Sequence, residues 1–113
     1  MIKLSDVVKK TGAKVLCGKS RLQTEVTGGY AGDMLSDVLA HTPKGALWLT
    51  VQAHPNIIAV AVMKGLAGIL LVNGKLPERE TLEKAEAEKV VLLSTPLDSF
   101  QAALKLQDVG KKA

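Results

Sequence analysis

Four short stretches of this sequence carry residue types able to do chemistry. Gly18-Lys19-Ser20 follows an apolar run and matches the tail of a phosphate-cradling loop, in which glycine lets backbone N–H groups approach phosphate and lysine meets its charge. That loop needs a glycine five positions before Gly18, but position 13 is alanine and Gly12 stands one residue out of register. No helical pattern follows, because residues 21–27 read as extended, so a nucleotide-hydrolysing loop is not expected. Gly28-Gly29-Tyr30-Ala31-Gly32 is spaced G-G-x-x-G, not G-x-G-x-x-G, and no acidic residue at a strand end about 20 positions later completes a dinucleotide fingerprint. His41 and His54 stand 13 residues apart, without the histidine four residues away that a helical zinc site uses. Cys17 is the only cysteine, which excludes a disulfide framework and a multi-cysteine zinc site. A dyad of Cys17 with either histidine stays open, although Cys17 sits in an apolar run, where thiols are usually inert. No catalytic residue and no metal ligand is therefore expected.

The composition sets the frame for these residues. A chain of 113 residues with 47% hydrophobic and 23% charged residues reads as one globular domain spanning 1–113. The net charge is +4, and setting aside Lys111 and Lys112 leaves +2; thirteen lysines and two arginines are scattered without a basic stripe, so nucleic-acid binding is not expected. Three aromatic residues (Tyr30, Trp48 and Phe100) are too few for a base-stacking surface. The N-terminal ten residues already carry charges, and the most apolar stretch, 57–72, is interrupted by Lys64, Gly65 and Gly68. It falls short of the ~20 residues that a membrane span needs. The expectation is a cytoplasmic protein without a membrane partner and with Cys17 reduced.

The apolar pattern predicts a short helix from Leu4 that stops at Gly12, with Ser5 as a capping residue, and a strand at 15–17. It then predicts an extended piece at 25–27 and a helix at 33–39 with Met34, Leu35, Val38 and Leu39 on one face. Strands follow at 46–51, 68–72 and 90–93. They alternate with helices at 57–64, 77–88 and from Thr95-Pro96 onward, the last with Leu97, Phe100, Ala103, Leu104 and Val109 inward. Strands apolar on both faces and separated by helices predict a three-layer α/β/α fold with a mainly parallel central sheet. The expected core includes Val15, Leu47, Leu49, Ile58, Val62, Ile69, Leu71, Leu92 and Leu104.

Ligands of open parallel sheets sit at the carboxyl ends of strands, and the polar residues of this chain gather there. They are Thr27 to Asp33 after the 25–27 strand, Thr50 to Asn56 after the 46–51 strand, Asn73-Gly74, and Ser94-Thr95-Pro96. Each loop alone reads as a helix cap, with Asp33, Asn56 and Thr95 as capping residues. Four such loops on one edge predict a shared pocket for a small anion, with helix N-termini aimed at it. Its expected members are Gly28, Gly29 and Gly32 as backbone N–H donors, and Thr50, His54, Asn56 and Asn73 as side-chain donors. Asp33 either binds a ribose hydroxyl or only caps its helix. Thr50, Gln52, His54 and Asn56 alternate, so at strand period they would face one side until Pro55.

The sequence resembles the DRTGG domain, a small α/β module related in fold to the N-terminal domain of HPr kinase/phosphorylase. The resemblance runs over about 27–110. It rests on Gly32-Asp33-Met34-Leu35-Ser36, on Leu47-Trp48-Leu49-Thr50, on His54-Pro55-Asn56 with the five residues after it, and on Val72-Asn73-Gly74 before Pro77. Where the family has Gly-Asp-Arg this chain has Ala53-His54-Pro55-Asn56, and where it has Thr-Gly-Gly this chain has Val72-Asn73-Gly74; the family's arginine is missing. The resemblance is to the stand-alone subgroup found beside iron-only hydrogenase and redox-sensing proteins. It implies a non-catalytic regulatory or sensing module whose candidate ligand is an adenine nucleotide, with no other cofactor and with hydrogenase or redox-regulatory partners. The alternative is a ligand-free, dimeric assembly protein; phosphotransfer is the least supported. A homodimer is expected, because the apolar helix around 57–63 looks too rich for one subunit to cover.

Overall fold

The direction in which successive side chains leave each strand decides how the layers form. In the computed structural model, which describes residues 2–108, the elements in chain order are β1 (Ile2–Lys3), α1 (Leu4–Thr11), β2 (Lys14–Cys17), a 3-10 turn (Lys19–Arg21), β3 (Glu25–Val26) and β4 (Gly28–Ala31). They continue with α2 (Leu35–His41), β5 (Ala46–Thr50), α3 (Asn56–Lys64), β6 (Gly68–Leu71), α4 (Arg79–Glu88), β7 (Leu92–Ser94) and α5 (Ser99–Lys105). Along the middle strands Leu47, Leu49, Leu70 and Leu93 join Leu4 and Val7 of α1 and Ala102 of α5 in one core. Their neighbours Trp48, Ile69, Leu71 and Leu92 join Val38, Ile57, Ile58 and Ala85 of α2, α3 and α4 in the other. The period of two thus divides the apolar residues between two helical layers.

The five-stranded sheet runs β2-β7-β6-β5-β4. Strands β4 to β7 are parallel, and β2 is an antiparallel edge strand with an irregular register between Val15 and Cys17. The three-layer, mainly parallel architecture is the one expected. From β4 to β7 the chain steps across the sheet in one direction, so crossovers of constant hand place α2, α3 and α4 on the same face. The opposite face is left to the first and last helices, α1 and α5, which pack together. A separate antiparallel ribbon of β1 and β3 holds the start of the chain, and Leu4 and Ser5 donate their N–H groups to the carbonyls of Thr24 and Leu22.

Several expectations are corrected. The 25–27 segment is not a strand of the main sheet; Val26 turns into the ribbon, and Gly28–Ala31 forms the edge strand instead. Ser5 does not cap α1, which begins at Leu4 with the Asp6 carboxylate accepting the Lys3 N–H at 2.8 Å. The last helix begins at Ser99, not at Thr95, because Asp98 and Gln101 form a reciprocal capping box there. Val62 and Leu104 are 49% and 56% exposed, outside the core. Helix α3 buries Ile57, Ile58, Val60 and Ala61, which leaves Val62 on its far side. The seven-residue α5 faces the sheet with Ala102, so Phe100 and Leu104 point outward. Met34 precedes α2 and is exposed, and Val15 is half-buried on the edge strand. The other six expected core residues are buried, and Val109 lies outside the described residues.

Gly18 has φ +90°, and a Cβ there would stand 2.7 Å from Val91 Cγ2 and 2.9 Å from its Cα; Gly12 has φ +67° and open space. Gly12→Ala therefore meets only the left-handed penalty, about 1–2 kcal/mol. Gly18→Ala adds a collision with backbone and should cost clearly more, read as a larger fall in the urea midpoint at unchanged m-value. Equal losses in the two variants would contradict the close approach of Gly18 to Val91.

Candidate functional site

A carboxylate that ties two parallel strands together at their carboxyl ends is the centre of the polar edge. After β4 three residues, Gly32-Asp33-Met34, turn the chain into α2. Gly32 donates its N–H to Leu49 O at 3.1 Å and accepts the Trp48 indole N–H on its carbonyl at 2.8 Å. Asp33 Oδ1 accepts the Thr50 hydroxyl at 2.7 Å and the Val51 N–H at 2.9 Å. The Asp33 carbonyl accepts Gln52 Nε2 at 2.9 Å. Hydrogen bonds to an ionised carboxylate are the stronger kind, and these fix the orientation of Asp33. Among the described residues Oδ2 of Asp33 accepts no hydrogen bond, and the residue is exposed.

Thr50 is buried and fully engaged, since its Oγ1 also accepts the Gln52 N–H at 3.1 Å. That short side-chain turn ends β5 at Thr50, so the expected strand-period alternation from Thr50 to Asn56 does not form. His54 lies in the loop, exposed, and its Nδ1 accepts the Asn56 N–H at 3.2 Å. The neutral ring then carries its proton on Nε2, which is a donor to solvent or ligand. Asn56 is the first residue of α3 and is exposed.

Asn73 sits two strands from Asp33, after β6, in the left-handed region with φ 59°. Its N–H donates to Leu97 O at 2.8 Å, Gly74 N–H to Thr95 O at 2.8 Å, and Ser94 Oγ to Lys75 O at 2.8 Å. Between β6 and β7 the connections leave for opposite faces, the place where an open α/β sheet forms a ligand crevice. Here the loops are bonded to one another and close it. Thr95 does not cap α5; its hydroxyl bridges to Thr11 O at 2.7 Å.

The edge thus brings together Asp33 and Thr50, adds Gln52, and places His54, Asn56 and Asn73 along the same rim. The glycines are corrected. Gly28 and Gly29 pair with Ala46 and Leu47 at the amino end of the parallel strands, away from the rim. Gly32 has its N–H occupied by Leu49. They do not form a cradle of free backbone donors, because β4 begins one residue after Thr27 and draws them into the sheet. Gly29 instead walls an apolar groove of about 270 Å³ between β4 and α5, with Ala31, Leu47, Leu49, Ala103 and Leu106.

Sequence reasoning missed a second polar cluster. The Tyr30 hydroxyl donates a hydrogen bond to Asp37 Oδ2. His41 Nδ1 lies 3.1 Å from Asp37 Oδ1, and the Tyr30 and His41 rings stack with centroids 6.4 Å apart. The i, i+4 spacing of Asp37 and His41 was visible in the sequence; the contact with Tyr30 across the turn was not. The Asp37 hydrogen bond, then partial burial and the Asp37 charge, push the Tyr30 phenol up from its ordinary value. Burial first, and Glu86 second, push the Cys17 thiol up against the pull of Arg21, which leaves little thiolate at neutral pH. Among the described residues no three His, Cys, Asp or Glu side chains could hold a metal ion, and no helix is long and apolar enough to cross a membrane.

The family model for the DRTGG domain matches residues 6–109, so the match begins well before the residues 27–110 that carry the sequence resemblance. A solved structure of the CBS and DRTGG domains of the regulatory region of Clostridium perfringens pyrophosphatase, complexed with the activator diadenosine tetraphosphate, superposes with a TM-score of 0.75 at 19% identity. The likeness covers 95% of this chain and 47% of that one, so this chain spans about half the length of that regulatory region. Comparison with curated proteins yields no match.

Two measurements check this geometry. Asp33→Ala leaves the buried Thr50 hydroxyl and the Val51 N–H without their acceptor and should cost about 1–3 kcal/mol, whereas Asp33→Asn keeps an acceptor oxygen and should cost less; equal losses would deny the bridge. Tyr30 is the only tyrosine, so absorbance at 295 nm follows it alone. Its phenol should ionise at higher pH in the folded chain than in denaturant, and Asp37→Ala, which removes the acceptor, should bring the two closer. Since the folded value is the raised one, this contribution to stability is present below the ordinary tyrosine range and is lost as pH rises through the folded value.

Proposed function

Since the chain belongs to the DRTGG domain family, we propose that it is a non-catalytic regulatory module that binds an adenine nucleotide at the carboxyl edge of its sheet and acts on a partner enzyme. The observation that carries this reading is Asp33, a carboxylate held rigidly through one oxygen with the other oxygen open. An ionised carboxylate accepts hydrogen bonds and cannot donate them, so it suits the hydroxyl pair of a ribose and repels phosphate. Of the two roles weighed for Asp33, the ribose partner fits. The helix-capping role does not, since Met34 lies between Asp33 and α2 and no side chain caps that helix. His54 Nε2, Asn56 and Asn73 remain as donors for the base or the phosphates. With the glycine cradle gone and Thr50 engaged, the ligand rests on an open rim and keeps much of its hydration. The activator in the solved structure of the pyrophosphatase regulatory region is diadenosine tetraphosphate, and this supports the ligand class. The partner class rests on the stand-alone subgroup that the sequence resembles, whose companions are hydrogenase and redox-sensing proteins.

A second reading, assembly as a homodimer without ligand, is favoured by a different surface. Of the apolar residues of α3 that suggested dimerisation, Ile57, Ile58, Val60 and Ala61 are buried, while Val62 and Met63 are exposed. The uncharged edge strand β4, with Phe100 at 74% exposed and Leu104 beside it on α5, is a better candidate, because edge strands without charge or bulge invite pairing.

Calorimetric titration with AMP, ADP, ATP and diadenosine tetraphosphate should give dissociation constants of about 1 μM or weaker, near 8 kcal/mol or less in magnitude. Asp33→Asn and 2′,3′-dideoxy-ATP should each weaken binding, and together no more than either alone. Absence of saturable binding at millimolar nucleotide, with a sedimentation mass of two chains, would put the assembly reading ahead.

A further inference from the structure

We infer that Tyr30 and Asp37 are positioning residues for Asp33, forming a latch across the turn that carries it. The turn Gly32-Asp33-Met34 has its two ends on different elements, Tyr30 near the end of β4 and Asp37 in the first turn of α2. The Tyr30 hydroxyl and Asp37 Oδ2 bond directly across it. From the last turn of α2, His41 Nδ1 lies 3.1 Å from both the Asp37 carbonyl oxygen and Oδ1 of the same carboxylate, which places the ring beside the group that meets the phenol. Inside the latched turn lie the Gly32 carbonyl on the Trp48 indole at 2.8 Å and the Asp33 carboxylate on Thr50 and Val51.

Strand β4 is an edge strand of four residues, paired on one side only. Two of its residues are glycines, which lose the most conformational freedom on folding and have no side chain to pack. Met34 is exposed and no side chain caps α2, so the start of that helix is held to the core by Leu35 without a polar tie to the turn before it. Tyr30 is the large side chain of β4, and its bond to Asp37 closes a ring from β4 through the turn into α2. Such closure limits the motion of the three residues between. The turn in turn fixes the direction in which Asp33 presents its free oxygen. The inference deepens the nucleotide reading but has a readout that does not depend on it.

The test is hydrogen exchange of two protons that report the turn without ligand, the Trp48 indole N–H and the Val51 amide, in the full chain. Tyr30→Phe and Asp37→Ala should each speed both exchanges by about tenfold relative to core amides such as Leu70. Asp37→Asn, which keeps an acceptor oxygen for the phenol, should restore most of the protection. The double variant Tyr30→Phe with Asp37→Ala should be no worse than either single change, the mark of a shared contact. If nucleotide binds the parent chain, its affinity should fall in step in Tyr30→Phe; if it does not bind, the ribose reading fails while the exchange rates still decide the latch. Unchanged exchange at Trp48 and Val51, or loss spread evenly over the core, would overturn it.

Discussion

Strand β5 has no exposed residue, and that burial sets the terms for everything around it. Ala46, Leu47, Trp48, Leu49 and Thr50 lie between two helical layers and between two parallel strands. Backbone and side-chain polar groups so placed must be paired inside the protein. The indole of Trp48 and the hydroxyl of Thr50 both find their partners in the turn after β4. The same turn therefore completes the core and shapes the polar rim. Asp33 is structural through one oxygen, while the other accepts no hydrogen bond among the described residues.

The direction of strand order explains why the rim is open. Because β4 to β7 advance one way, α2, α3 and α4 share a face and no crevice forms between β4, β5 and β6. Among the described residues, the place where the helices after neighbouring parallel strands go to opposite faces, between β6 and β7, is bridged by Asn73, Gly74, Ser94 and their partners. A ligand at this edge meets a surface, not a cavity.

Exposed apolar surface is likewise placed by the lengths of the outer helices. Helix α5 is seven residues long and reaches the sheet through Ala102, with Leu106 just after it. It leaves β4 uncovered on that face, with a groove between them. The other edge strand, β2, carries Lys14 and an irregular register, features that discourage strand pairing. The two edges of one sheet are thus unequally guarded.

Much of this was decided by the sequence alone. Apolar runs of strand length, separated by helical periods, set the three layers and the parallel core, since strands buried on both faces have few other arrangements. The gathering of Asp33, Thr50, Gln52, His54, Asn56 and Asn73 on one rim followed from their positions after strands. Tertiary structure decided what local pattern could not carry. The glycines at 28 and 29 entered the sheet because an edge strand was needed beside β5, and a glycine-rich segment permits either a loop or a strand. Thr50 and Gly32 proved to be engaged, because hydrogen bonding between distant segments depends on which strands become neighbours. Val62 and Leu104 faced outward because a short helix has room for only one stripe of contacts, and its rotation is set by the sheet beneath it. The pairing of Tyr30 with Asp37 joins a strand to a helix across a turn, and only the folded turn brings the phenol and the carboxylate within reach.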